Sequence, residues 1–101
     1  MSMIEHMVVF KFNSETTPGA VDSLRQALMG LKEQFEGIVD LTFGENFSER
    51  GKGFTHGLVV RFKDKAALDE YLPHDAHQAV VRDRVLPILD ELVVVDYEIG
   101  S

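Results

Sequence analysis

The hydrophobic residues of this chain change their repeat several times along its length, and the order of those changes admits few folds. From Glu5 to Phe12 the side chains alternate, with His6, Val8, Phe10 and Phe12 on one face and Met7, Val9 and Lys11 on the other. That is the period of two that a strand requires. Val21, Leu24, Leu28, Leu31 and Phe35 then recur at steps of three and four, one apolar stripe on a helix of about four turns. Thr17 is placed to cap that helix, Pro18 suits its first position, and Gly37 is placed to end it. Residues 38–45 read as a second strand, Asn46 to Gly53 as a polar, glycine-bearing loop, and residues 54–62 as a third strand with His56, Leu58, Val60 and Phe62 on one face. A short helix is expected from Lys63-Asp64 to Leu72, where Pro73 punctuates it. Another is expected from His74 or Asp75 to about Leu89, broken or kinked by Pro87 near its end. The valine-rich stretch 92–99 is the last strand. The order β-α-β-β-α-β, with its second helix split, is that of an α+β, ferredoxin-like split βαβ unit: a four-stranded antiparallel sheet with helices on one face. At 101 residues the whole chain, 1–101, reads as a single domain.

The first and last strands are apolar on both faces: Met7 and Val9 back onto Val8 and Phe10, and Val93, Val95 and Tyr97 onto Leu92 and Val94. A two-layer domain should leave its outer sheet face polar, so this face calls for a second cover. The simplest cover is another copy of the chain about a two-fold axis, which predicts a homodimer joined sheet to sheet. The charge balance narrows the partners further. Ten Lys and Arg against 17 Asp and Glu leave a net charge of −7, which repels phosphate backbones and anionic lipids and argues against nucleic-acid and membrane partners. The absence of cysteine removes disulfides, thiolate metal sites and thiol nucleophiles. No stretch is long and apolar enough to span a bilayer, and the N-terminus lacks the pattern of a signal peptide, so a cytoplasmic location is expected.

Chemistry then falls to four histidines and two tyrosines. His6 and His56 lie on apolar strand faces that can both point toward the helices from neighbouring strands. They are either half-buried structural histidines or part of a site. Tyr71, His74 and His77 form Y-x-x-H-x-x-H. A His-x-x-His pair can contribute to a zinc or copper site, but nothing supplies the further ligands, and no metal site is assigned. The alternative for His6, His56, Tyr71 and His77 is a metal-free acid–base site, with imidazole taking a proton and the phenol donating to a developing oxyanion. Val8, Phe10, Leu24, Leu28, Leu58 and Val80 would wall such a site for an organic molecule with few charges. There is no phosphate-binding glycine loop and no nucleophile elbow.

The opening I-E-H-M-V-V-F-K-F (4–12), G-F-T-H-G (53–57), Y-L-P-H-D-A-H (71–77) and the closing V-V-D-Y (94–97) together resemble the stress-responsive dimeric α/β-barrel (Dabb) family, over nearly the whole chain. The resemblance implies ferredoxin-like units paired through their sheets into a dimeric α/β barrel with the helices outside. It includes plant heat-stable stress proteins and a plant enzyme that closes a linear polyketide by intramolecular aldol condensation without any cofactor. By that resemblance His77 would be the general base, Tyr71 its hydrogen-bonding partner or carbonyl polariser, and His6 and His56 further pocket residues. Leu28 falls where that enzyme carries a pocket tyrosine, and Val80 and Val81 are bulkier than its counterparts, which implies a different or shorter ligand. The expected function is binding of a small, largely apolar organic molecule, with a cofactor-free cyclase or isomerase as its catalytic form. The rivals are a non-catalytic, heat-stable, stress-related homo-oligomer and a heme- or metal-handling protein of the kind found among related barrels.

Overall fold

A computed structural model describes residues 2–100. The elements run β1 (Ile4–Phe12), α1 (Pro18–Gln34), β2 (Ile38–Glu45), β3 (His56–Phe62), α2 (Lys65–Tyr71), α3 (Asp75–Val80) and β4 (Leu89–Glu98). The strands form one antiparallel sheet in the order β2-β3-β1-β4, the ferredoxin-like arrangement that the alternating periods predict. The Thr17 hydroxyl accepts the Ala20 N–H at 3.1 Å and starts α1. Its stripe of Leu24, Leu28 and Leu31 is buried against Val8, Leu58, Val60 and Phe62 of the sheet's inner face. Asp64 caps α2 in the same way, accepting from Ala67 N–H at 2.9 Å.

Three local expectations are corrected. Gly37 does not end α1 as a left-handed cap, since the helix stops at Gln34 with extended Phe35 as its C-cap. The glycine is needed instead because a Cβ there would lie 2.5 Å from that of Ala67. The long second helix is shorter than its apolar pattern implies. After Val80 the backbone widens into a π turn over Val81–Val85 and tightens to a 3₁₀ turn over Leu86–Ile88. Pro87 has no N–H for the carbonyl of Asp83 and its ring crowds that carbonyl, so a regular helix cannot pass through it. The third strand begins at His56 rather than Phe54, because the turn through Lys52 and Gly53, both at positive φ, occupies the preceding residues.

The register sorts the strands' side chains. On the inner face, His6 stands opposite Val60 and Asp96, Val8 opposite Leu58 and Val94, and Phe10 opposite His56 and Leu92. On the outer face, Met7 is opposite Val59 and Val95, and Val9 is opposite Val93. This outer apolar stripe ends in the Glu5–Arg61 ion pair, 2.9 Å, at one end and the Lys11–Glu91 pair, 3.6 Å, at the other. Within one chain nothing among the described residues covers it: Val93, Val95 and Tyr97 are 44%, 49% and 47% exposed. Among the described residues no helix is long and apolar enough to cross a membrane.

Candidate functional site

The helices cover β2, β3 and β1 but leave the inner face of β4 open, and a cavity of about 350 Å³ lies there, between the sheet and the α2–α3 segment with its π turn. Val8 and Phe10 of β1, Leu58 of β3, Leu28 of α1, Val80, Val81 and Val85 of the widened helix, and Leu92 and Val94 of β4 form apolar walls. The polar side chains lining it are His6, Tyr71, His77 and Asp96. Among the described residues no lysine or arginine lines the cavity.

Tyr71 ends α2 with its side chain buried, and its hydroxyl makes no hydrogen bond among the described residues. Burial pushes its phenol well above the usual tyrosine range, so the ring keeps its proton and can only donate or accept a hydrogen bond at neutral pH. His77, one turn into α3, packs against the Tyr71 ring at 4.4 Å between centroids. The sequence reading expected the Tyr71 hydroxyl near a His77 ring nitrogen. The two meet ring to ring with no hydrogen bond between them, and His77 Nδ1 is held by the Leu72 carbonyl at 2.9 Å. A carbonyl only accepts, so Nδ1 carries the hydrogen. Burial, with a smaller contribution from His6, lowers the His77 pKa against the opposing pull of that carbonyl. The ring is therefore neutral at pH 7, with its lone pair on Nε2. His6 is buried, sits edge-on to Tyr71 at 6.2 Å, and donates Nδ1–H to the Asp96 carboxylate directly across the β1–β4 ladder.

Two of the expected site residues, the pocket histidine His56 and the wall residue Leu24, lie elsewhere. His56 shares the inner face with His6 but stands four residues along the antiparallel register, on the order of 13 Å away. It is packed between Phe43 and Phe12 at 5.5 and 5.1 Å, with Nδ1 on the Thr55 hydroxyl at 2.9 Å. Leu24 is wholly buried one turn before Leu28 and belongs to the core rather than the cavity. His74 does not pair with His77: its Nδ1 accepts the Ala76 N–H at 3.0 Å and caps α3. Among the described residues no group of three or more His, Asp or Glu is arranged to hold a metal ion. Asp96, a residue that in sequence reads as one tying down a loop or another side chain, is bonded to His6 at the cavity. Its signal was the pairing of first and last strands, which sets it opposite His6.

The lowered His77 pKa has a consequence for stability. Between that lowered value and the ordinary histidine value of about 6.5, the unfolded chain binds more protons than the folded one. The stabilisation is full above about pH 6.5 and is lost as the pH falls through the folded-state value. His56, also lowered chiefly by burial, acts in the same direction. The fall in urea midpoint from about pH 7 to pH 5 is expected to be shallower in His77→Gln, and an unchanged profile would show that the ring is not buried in solution.

The family model of the stress responsive A/B barrel domain (Dabb) matches residues 4–99. A stress-response A/B barrel domain-containing protein of Arabidopsis thaliana is 31% identical over 102 residues, which cover 97% of this chain and 38% of that protein, so the chain spans well under half of that relative. A dimeric ferredoxin-like protein of unknown function from Jannaschia sp. is 29% identical with a TM-score of 0.80, covering 96% of this chain and 99% of that one. The hydroxynitrile lyase of Passiflora edulis shares the fold, with a TM-score of 0.90 at 17% identity over 98% of this chain and 94% of that one. The chain belongs to the stress-responsive A/B barrel domain family.

Proposed function

We propose that this stress-responsive A/B barrel domain, read as one unit over residues 1–101, binds a small, uncharged and largely apolar organic molecule in the cavity and acts on it as a cofactor-free cyclase or isomerase. The observation that carries the reading is the pairing of His77 with the Leu72 carbonyl at the cavity wall, which leaves a neutral imidazole with a basic Nε2 beside a phenol that keeps its proton. His77 would remove a proton from a carbon next to a carbonyl group, and the Tyr71 hydroxyl would donate to the oxygen on which charge develops. The walls support an uncharged ligand, since no cationic side chain among the described residues lines the cavity to neutralise an anion. The same reading has the protein working in the cytoplasm as a homodimer joined through the outer sheet face. The uncovered stripe of Met7, Val9, Val93 and Val95 supports that assembly, as does the dimeric Jannaschia relative.

The test is a screen of neutral carbonyl compounds for turnover, followed by His77→Ala and Tyr71→Phe. Loss of a general base should lower turnover about 10²–10⁴-fold with the circular dichroism spectrum and oligomeric state unchanged. Turnover surviving in both variants would overturn the assignment. The second reading, a non-catalytic stress-related homo-oligomer, is favoured by the ring-to-ring packing of Tyr71 on His77 without a hydrogen bond between them. It requires that both substitutions lower stability and that no compound turns over.

A further inference from the structure

The cavity holds a second imidazole whose partner has no part in the chemistry above. We propose that Asp96 is a positioning residue: it fixes His6 in the tautomer protonated at Nδ1, so that His6 Nε2 serves as a second proton acceptor in the cavity, beside the Tyr71 ring on which His77 also packs. The inference rests on the cavity being a ligand site and adds a second acid–base group to it. In a cyclisation or isomerisation the imidazole that takes a proton from one atom becomes an imidazolium that can return it to another, and His6 Nε2 gives the cavity a second site for that exchange beside Tyr71.

Four observations support it. His6 and Asp96 are direct partners in the β1–β4 register, so the backbone holds their side chains side by side on the inner face. The Asp96 carboxylate accepts from His6 Nδ1, and a neutral imidazole with its hydrogen at Nδ1 has its lone pair at Nε2. The His6 ring is buried against Phe62 and Tyr71, both edge-on at 6.2 Å, which restricts its rotation. Both His6 and Asp96 line the cavity. The two histidines thus reach the same tautomer by different means, one through a side-chain carboxylate and the other through a backbone carbonyl. A substitution at position 96 can therefore change one without the other.

That difference is the experiment. Long-range ¹H–¹⁵N correlation spectra of the labelled, unliganded protein, recorded above the histidine titrations, should show His6 and His77 both protonated at Nδ1. In Asp96→Ala, His6 should move to the Nε2-protonated form that an unconstrained neutral histidine favours, while His77 stays as it was. Asp96→Val, which restores strand propensity without an acceptor, gives the same test if the alanine variant folds poorly. A wild-type His6 protonated at Nε2, or a His6 unmoved by either substitution, would overturn the proposal. Phenol, a neutral hydrogen-bond donor, supplies the ligand arm: it should shift Nε2 of both histidines in the wild type and of His77 alone in Asp96→Ala. Phenol shifting only His77 in the wild type would overturn the second-acceptor role. Phenol shifting neither would remove the ligand site itself, yet leave the tautomer result standing, so the two failures are distinguishable.

Discussion

Val95→Glu is expected to halve the mass of the protein in solution, from twice the 11.4 kDa of the chain to a single chain. Val95 lies mid-stripe on the outer sheet face, opposite Met7 and two residues from both Val93 and Tyr97, and it is 49% exposed in the isolated chain. A two-fold axis through that face would bring both copies of residue 95 into one interface, so a single substitution enters twice. Covering a valine gains on the order of 1.5–3 kcal/mol, whereas burying an unpaired carboxylate costs several. The ion pairs closing the stripe already hold Arg61 and Lys11 against Glu5 and Glu91. Sedimentation velocity of the two proteins at equal concentration reads the change directly. An unmutated chain that sediments as a monomer, or a Val95→Glu protein that remains dimeric, would contradict sheet-to-sheet pairing.

Leu24→Ala is expected to lower the unfolding free energy by about 2–5 kcal/mol, out of the roughly 5–15 kcal/mol typical of such a domain. Leu24 is completely buried between α1 and the sheet, so the lost methyl groups leave a void that the packed strands cannot fill. Leu28→Ala, one turn later, should cost less, because Leu28 already borders the cavity and its removal enlarges an existing space. Urea unfolding of both variants at one protein concentration measures the difference. A Leu24→Ala cost below about 1 kcal/mol, or the reverse order of the two, would mean that the α1 stripe is not seated as described.

What the sequence made legible follows from which properties are periodic. The strands and α1 announce themselves because burial on one face forces a repeat of two or of three to four, and Leu24, Leu28 and Leu31 fall on the buried stripe that this repeat predicts. The apolar outer face was legible for the same reason. Register was not, because alternation tells which face a residue takes but not its height along the sheet. His6 and His56 therefore looked like neighbours, while the ladder sets them at opposite ends of one face. The side chain that Asp96 holds was not legible for the same reason, since only the β1–β4 pairing brings Asp96 to His6. The end of the second helical segment depends on one residue, Pro87, whose effect on the preceding turns reads as a break in sequence and as a widened turn carrying Val81 and Val85 to the cavity in structure. Gly37 was legible as a glycine and not as a close approach, because Ala67 lies 30 residues further along the chain.

The proposed function requires that the space beneath β4 be a ligand site. A titration of methyl-labelled protein with acetophenone, a neutral aromatic ketone, tests it most directly, because β4 carries reporters on both faces. Saturable shifts are expected for the Leu28, Leu58, Val80 and Val94 methyls that line the cavity, with Val93 and Val95 on the outer face unmoved and the shifts much weakened in Tyr71→Phe. Shifts confined to Val93 and Val95, or none at cavity methyls up to the solubility limit of the ketone, would contradict it.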